Sequence, residues 1–173
     1  MKKIIIGLMV FCFFTKISFS QNPDVRTLPS ADVKTVDGKT VNSSKFENGG
    51  KPIIISFWAT WCKPCVKELN AISENYPDWQ KETGVKVIII SEDDARTSSR
   101  AVSEVKTRGW TFESYLDVNQ DFKRAMNVNN CPHTFLLNNN GEIIWQHNSY
   151  TEGDEDKLFD ILKKSAKGEK IEE

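Results

Sequence analysis

Ile53-Ile54-Ile55-Ser56-Phe57-Trp58-Ala59-Thr60-Trp61-Cys62-Lys63-Pro64-Cys65 decides how the rest of the chain is read. Six residues, five of them apolar, end at a short Ala-Thr-Trp turn. Two cysteines three positions apart follow. A continuous apolar run of this length suits a strand buried on both faces. The cysteines then fall at the start of a helix, where positions i and i+3 lie one above the other, close enough for a disulfide. Unsatisfied backbone N–H groups at a helix start favour negative charge, so the Cys62 thiol is expected to ionise below the free-thiol value of about 8.5. Lys63 adds a neighbouring positive charge in the same direction.

Working outward, Val66, Leu69, Ile72, Tyr76 and Trp79 recur at helical spacing from Cys62 to about Lys81, with a kink or early stop expected at Pro77 and an end at Gly84. Val85–Ile90 is a second continuous apolar run. Strand, helix and strand make a βαβ unit with parallel pairing. Upstream, residues 33–41 alternate around Asp37-Gly38, a hairpin signal. Downstream, the pattern gives a polar helix over 95–108, a short strand over 112–116 and a helix near 121–126. A hairpin of 133–137 with 142–146 follows, turning at Asn139-Asn140-Gly141. The closing helix spans 154–166, with acids in its first turn and lysines in its last. The fold class is α/β, a mixed central sheet with helices on both faces.

Taken together, Asp37-Gly38-Lys39, the Phe57–Cys65 stretch and Pro132-His133-Thr134-Phe135-Leu136-Leu137 followed by Asn140-Gly141 resemble the thioredoxin-like proteins of the bacterial extracytoplasmic TlpA/ResA type. The likeness runs from about Leu28 to Leu162. It implies a thioredoxin fold and a redox-active Cys62–Cys65 pair, with Cys62 attacking a partner's disulfide and Cys65 resolving the mixed disulfide. It implies a cis Pro132 packed against the pair, preceded by a residue whose backbone meets the incoming substrate, so Cys131 and Pro132 are the substrate-binding positions. An acid at Glu68 is implied to lie near the pair and to influence its proton traffic, against the plain reading of a solvated helix glutamate. Two departures stand out. Cytoplasmic thioredoxins carry a buried aspartate six residues before the first cysteine, where this chain has Ser56. Family members usually carry a small aliphatic residue or threonine before the proline, where this chain has Cys131.

The first twenty residues read as a cleavable signal peptide: Lys2 and Lys3, an apolar stretch from Ile4 to Phe14, then Ser18-Phe19-Ser20. Residues 21–173 form the thioredoxin-like domain, and localisation is periplasmic or otherwise extracytoplasmic, with an uncleaved membrane anchor as the alternative. Without those twenty residues the chain carries 20 basic and 24 acidic residues, a net charge of −4. That balance argues against nucleic acid as a partner. The expected partners are extracytoplasmic protein thiols and disulfides, with a membrane-embedded electron donor.

Three cysteines remain, Cys62, Cys65 and Cys131, and the odd one needs an account. Cys131 would face the pair if Pro132 is cis. Packing as a small buried hydrophobe is the favoured reading, because a residue before proline is held extended. Zinc would accept Cys62, Cys65, Cys131 and His133, but ligands drawn from a tight X-Pro corner are poorly aimed. No bound metal and no cofactor is expected. Trp58 is assigned to the core, Trp61 to a docking surface beside the cysteines, and His147 to the surface. The alternatives to a thiol-disulfide oxidoreductase are a Cys/His metal module and a non-catalytic binding domain with a structural disulfide.

Overall fold

The structure is a computed structural model that describes residues 25–169 and 171. The signal-peptide reading of residues 1–20 lies outside them. Among the described residues, no helix is long and apolar enough to cross a membrane.

In chain order the elements are β1 (Asp32–Thr35), β2 (Thr40–Asn42), β3 (Ile53–Trp58), α1 (Lys63–Thr83), β4 (Lys86–Ser91), α2 (Ser98–Arg108), β5 (Glu113–Leu116), α3 (Asp121–Ala125), β6 (His133–Leu137), β7 (Ile143–Asn148) and α4 (Asp154–Ala166). The strands form one sheet in the order β2-β1-β5-β4-β3-β6-β7. β3 pairs in parallel with β4, and β4 with β5, while β6 runs antiparallel to β3 and to β7. The expected βαβ unit and both hairpins are present. α2 begins at Ser98 rather than near residue 95, because Asp94 first closes a turn whose side chain accepts from the Arg96 and Thr97 N–H groups.

All six residues of β3 are buried, and alternation sends them to two cores. Ile54 and Trp58 face Leu69, Ile72, Tyr76 and Trp79 of α1, with Leu158 and Leu162 of α4 and Ala101 of α2. Ile55 and Phe57 face Phe122 of α3, Phe46 and Phe135. Helices therefore cover both faces of a mixed sheet, the thioredoxin-like arrangement.

Pro77 neither kinks nor stops the first helix, which runs unbroken to Thr83. The reason is positional: Pro77 sits on the exposed side, while Tyr76 and Trp79 on either side of it stay buried against the sheet. The helix ends where Gly84 adopts φ +70° and its N–H reaches the Gln80 carbonyl. A Cβ at Gly84 would also stand 3.3 Å from the Lys51 side chain.

Candidate active site

Parallel pairing puts the ends of β3 and β4 at one edge of the sheet, and antiparallel pairing brings the start of β6 to that edge, with Phe57 opposite His133. Three segments distant in sequence therefore meet there: 58–65, 91–93 and 131–132. Asp93 fixes the first to the second. Its carboxylate accepts from the Thr60 N–H at 2.9 Å, the Thr60 hydroxyl at 2.7 Å and the Ser91 hydroxyl at 2.9 Å. Asp93 was not singled out by the sequence; a buried acid just past a strand end is the signal that was there to be used.

Cys62 caps α1 in extended conformation, with Pro64 in the first turn, where a missing N–H costs nothing. It is joined to Cys65 by a disulfide with the Cα atoms 5.3 Å apart. The Cys62 Sγ accepts the Cys65 N–H at 3.2 Å, so one of the orphan donors of the helix start is aimed at that sulfur. Cys62 is less exposed than a surface nucleophile, at 4% against 0% for Cys65. It packs with Trp58 and Ala59, so access is through its outer edge alone. Trp61 beside it is 67% exposed and Lys63 is exposed. Trp58 is core, stacked edge-on against Trp110.

Glu68, one turn below Cys65, is buried rather than solvated. Its carboxylate accepts from the Ser56 hydroxyl at 3.1 Å and the Thr134 hydroxyl at 2.7 Å. Burial pushes its pKa up to about 7, against the lowering effect of those two hydroxyls, with Asp154 and Glu155 pushing the same way as burial. Ser56, the position where the cytoplasmic aspartate is missing, thus serves as a donor to an acid that arrives from the helix instead. Thr134 was not recognised as its second partner, because only strand pairing brings β6 alongside α1.

The Cys131-Pro132 peptide is cis. Cys131 is half-buried and free, and its sulfur turns toward the pair: the Sγ atoms of Cys62, Cys65 and Cys131 all lie within 4.8 Å of one another. Cys131 packs against the core cluster, as the packing reading has it, and at the same time stands as a third thiol at the site. Burial pushes the Cys131 thiol up to about 12, with the Glu92 carboxylate adding to the effect and Lys123 opposing it. Lys123 and Glu92 form a 2.7 Å ion pair. His133 is not part of this group. Strand alternation sends its ring to the opposite face of the sheet, stacked on Phe135 at 4.4 Å. His147 is half-buried rather than at the surface, beside Asp154 and stacked on Trp145.

Residues 26–146 match the AhpC/TSA family. Among curated proteins, the chain is 35% identical over 94 residues to the thiol-disulfide oxidoreductase ResA of Geobacillus kaustophilus, covering 54% of this chain and 52% of that protein. It is 31% identical over 136 residues to the ResA of Bacillus thuringiensis subsp. konkukian, covering 79% of this chain and 75% of that one. The chain thus spans about half the length of one relative and three quarters of the other. Among solved structures, an uncharacterized thioredoxin-like protein from Porphyromonas gingivalis superposes with a TM-score of 0.74 at 47% identity, over 81% of this chain and 92% of that one.

Proposed function

From the premise that this chain belongs to the AhpC/TSA family, on its ResA-like thiol-disulfide oxidoreductase side, we propose that it is an exported protein-disulfide reductase. The Cys62 thiolate attacks one sulfur of a partner's disulfide, and the other partner sulfur leaves as a thiolate that takes up a proton. Cys65 then gives up its proton and attacks Cys62 in the mixed disulfide. The partner leaves with both thiols reduced, and Cys62–Cys65 is oxidised. A dithiol donor, expected in the membrane, returns two electrons and two protons to the pair. All of this chemistry uses the chain's own sulfur atoms and needs no bound cofactor.

The observation that carries this reading is the placing of the disulfide: it caps a helix, one of its sulfurs accepts the Cys65 N–H, and an exposed tryptophan stands beside it. The donor that meets Cys62 Sγ in the disulfide is equally placed to stabilise the thiolate. Glu68 supports the second step, as a buried carboxyl near neutrality able to hold or release a proton one turn from Cys65. A staple would gain little here, because a disulfide closing so short a loop removes little entropy from the unfolded chain. The test is the reduction potential of the Cys62/Cys65 couple in glutathione or dithiothreitol buffers. A reductase is expected above roughly −300 mV, within reach of such buffers, whereas structural disulfides lie below that value. A couple that stays oxidised throughout would favour the non-catalytic binding domain.

A further inference from the structure

We infer that the reduced protein holds a monovalent copper ion between the sulfurs of Cys62, Cys65 and Cys131, a three-thiolate site that exists only while the pair is reduced. The proposed disulfide chemistry uses two of these thiols and leaves the Cys131 sulfur without a task. Yet its sulfur is turned into the site, within 4.8 Å of both others. A thiolate bound to a closed-shell metal ion has a metal–sulfur distance of about 2.3 Å, which in a flat trigonal arrangement puts the sulfurs about 4.0 Å apart. Cys131 therefore needs to close by less than about 1 Å, and cleavage of the S–S bond lets the other two separate to that spacing.

The backbones that carry the three sulfurs are rigid: the N-cap and first turn of α1, and the strand entry at Pro132, next to β3 in the sheet. Such placement on regular elements is what a preorganised metal site needs.

The choice of ion follows from number and softness. Among the described residues, no histidine, aspartate or glutamate joins the three sulfurs. Structural zinc almost always takes four protein ligands. Thiolate ligands select soft ions, and copper(I) is the soft ion that three sulfurs satisfy. The surroundings agree, since Trp58 and Ala59 pack around the pair and Cys131 packs against the same cluster, which limits access by water.

Reduction by a dithiol donor puts two electrons and two protons into the disulfide. Copper(I) then displaces thiol protons to solvent with no further electron transfer. Oxidation of the pair by a partner's disulfide, which takes up the two electrons and two protons, removes two of the three ligands and releases the ion. The site shares Cys62, Cys65 and their reducible disulfide with the proposed reductase role but does not need their attack on a partner, so the two readings fail separately.

The test is anaerobic titration of chemically reduced, thiol-counted protein with copper(I) in competition with bicinchoninate. One ion per chain is expected for the parent, and none for the protein with Cys62–Cys65 oxidised. Cys131→Ser should weaken binding by at least about 100-fold, beyond the 10–100-fold that supporting residues around a metal typically cost. The melting temperature of the oxidised variant checks that it folds. Should it not fold, X-ray absorption on the copper-loaded parent decides instead: three sulfurs at about 2.3 Å are expected, and two sulfurs overturn the proposal. Equal affinity in Cys131→Ser, no copper bound by the reduced parent, or zinc taken in preference to copper(I) each overturn it as well. A chain that binds copper but reduces no disulfide would sink the reductase reading and leave this one standing.

Discussion

Cys62 and Cys65 differ by one helical turn, and the proposed division of their roles rests on that difference. Cys62 accepts the helix-start N–H and has the only exposed edge, whereas Cys65 is fully buried. Cys62→Ala should abolish disulfide reduction, and Cys65→Ala should accumulate a mixed disulfide through Cys62, read by mass spectrometry of trapped partner peptides. Trapping through Cys65 would reverse the roles. Glu68 makes a second prediction at this scale. Its carboxyl ionises at about 7 in the folded protein, against an ordinary 4.5. Ionising it therefore costs the folded state about 3 kcal/mol that the unfolded chain does not lose. The stability associated with the neutral carboxyl is complete below pH about 4.5, falls as pH rises, and is gone above about 7. Glu68→Gln keeps the shape and removes the charge. In urea denaturation of the oxidised protein, the variant should gain on the parent by an amount of this order between those two pH values. Parallel curves would show that the carboxylate is paid for by Ser56 and Thr134 after all.

At the scale of the element, α1 combines a favourable start with an awkward interior. Pro77 cannot donate a hydrogen bond to the preceding turn, and an interior proline costs a helix about 3 kcal/mol. The packing of Tyr76, Trp79 and Trp79's stacked partner Phe159 overrides that cost and keeps the helix straight enough to end at Gly84. Restoring the N–H with Pro77→Ala should raise stability by about 1–2 kcal/mol, once the greater freedom of the unfolded variant is allowed for. A higher urea midpoint with an unchanged slope is the expected reading; a lower midpoint would mean that the ring itself packs. The same contrast explains what the sequence reveals. Periodicity located β3, α1, β4 and α4 because each carries its apolar pattern within itself. The outcome at Pro77 depended on what lay under the helix, and no local pattern records that. The Cys62–Cys65 pair was legible from spacing. The burial of Glu68, and its bonds to Ser56 and Thr134, arise only when β3, β6 and α1 come together.

Across the whole molecule, function is gathered at one edge of the sheet. Open α/β sheets place their sites beyond the C-terminal ends of parallel strands, and β3 and β4 end here. The antiparallel β6 begins at the same edge and delivers Cys131 and Pro132 to sulfurs that lie far away in sequence. A partner approaching this edge meets Trp61 first, at 67% exposed, while Cys62 offers only a narrow edge and Cys65 is fully buried. Exposed tryptophans that contribute nothing to the core are common binding anchors. Trp61→Ala should therefore leave stability within about 0.5 kcal/mol of the parent. It should lower the rate of reduction of a folded protein disulfide by about 10-fold, equivalent to about 1.4 kcal/mol of lost docking energy. A small disulfide reagent needs no docking surface, so its rate should change little. Equal losses with large and small substrates would mean that Trp61 shapes the disulfide itself, and the reduction potential of the variant would then move with the rate.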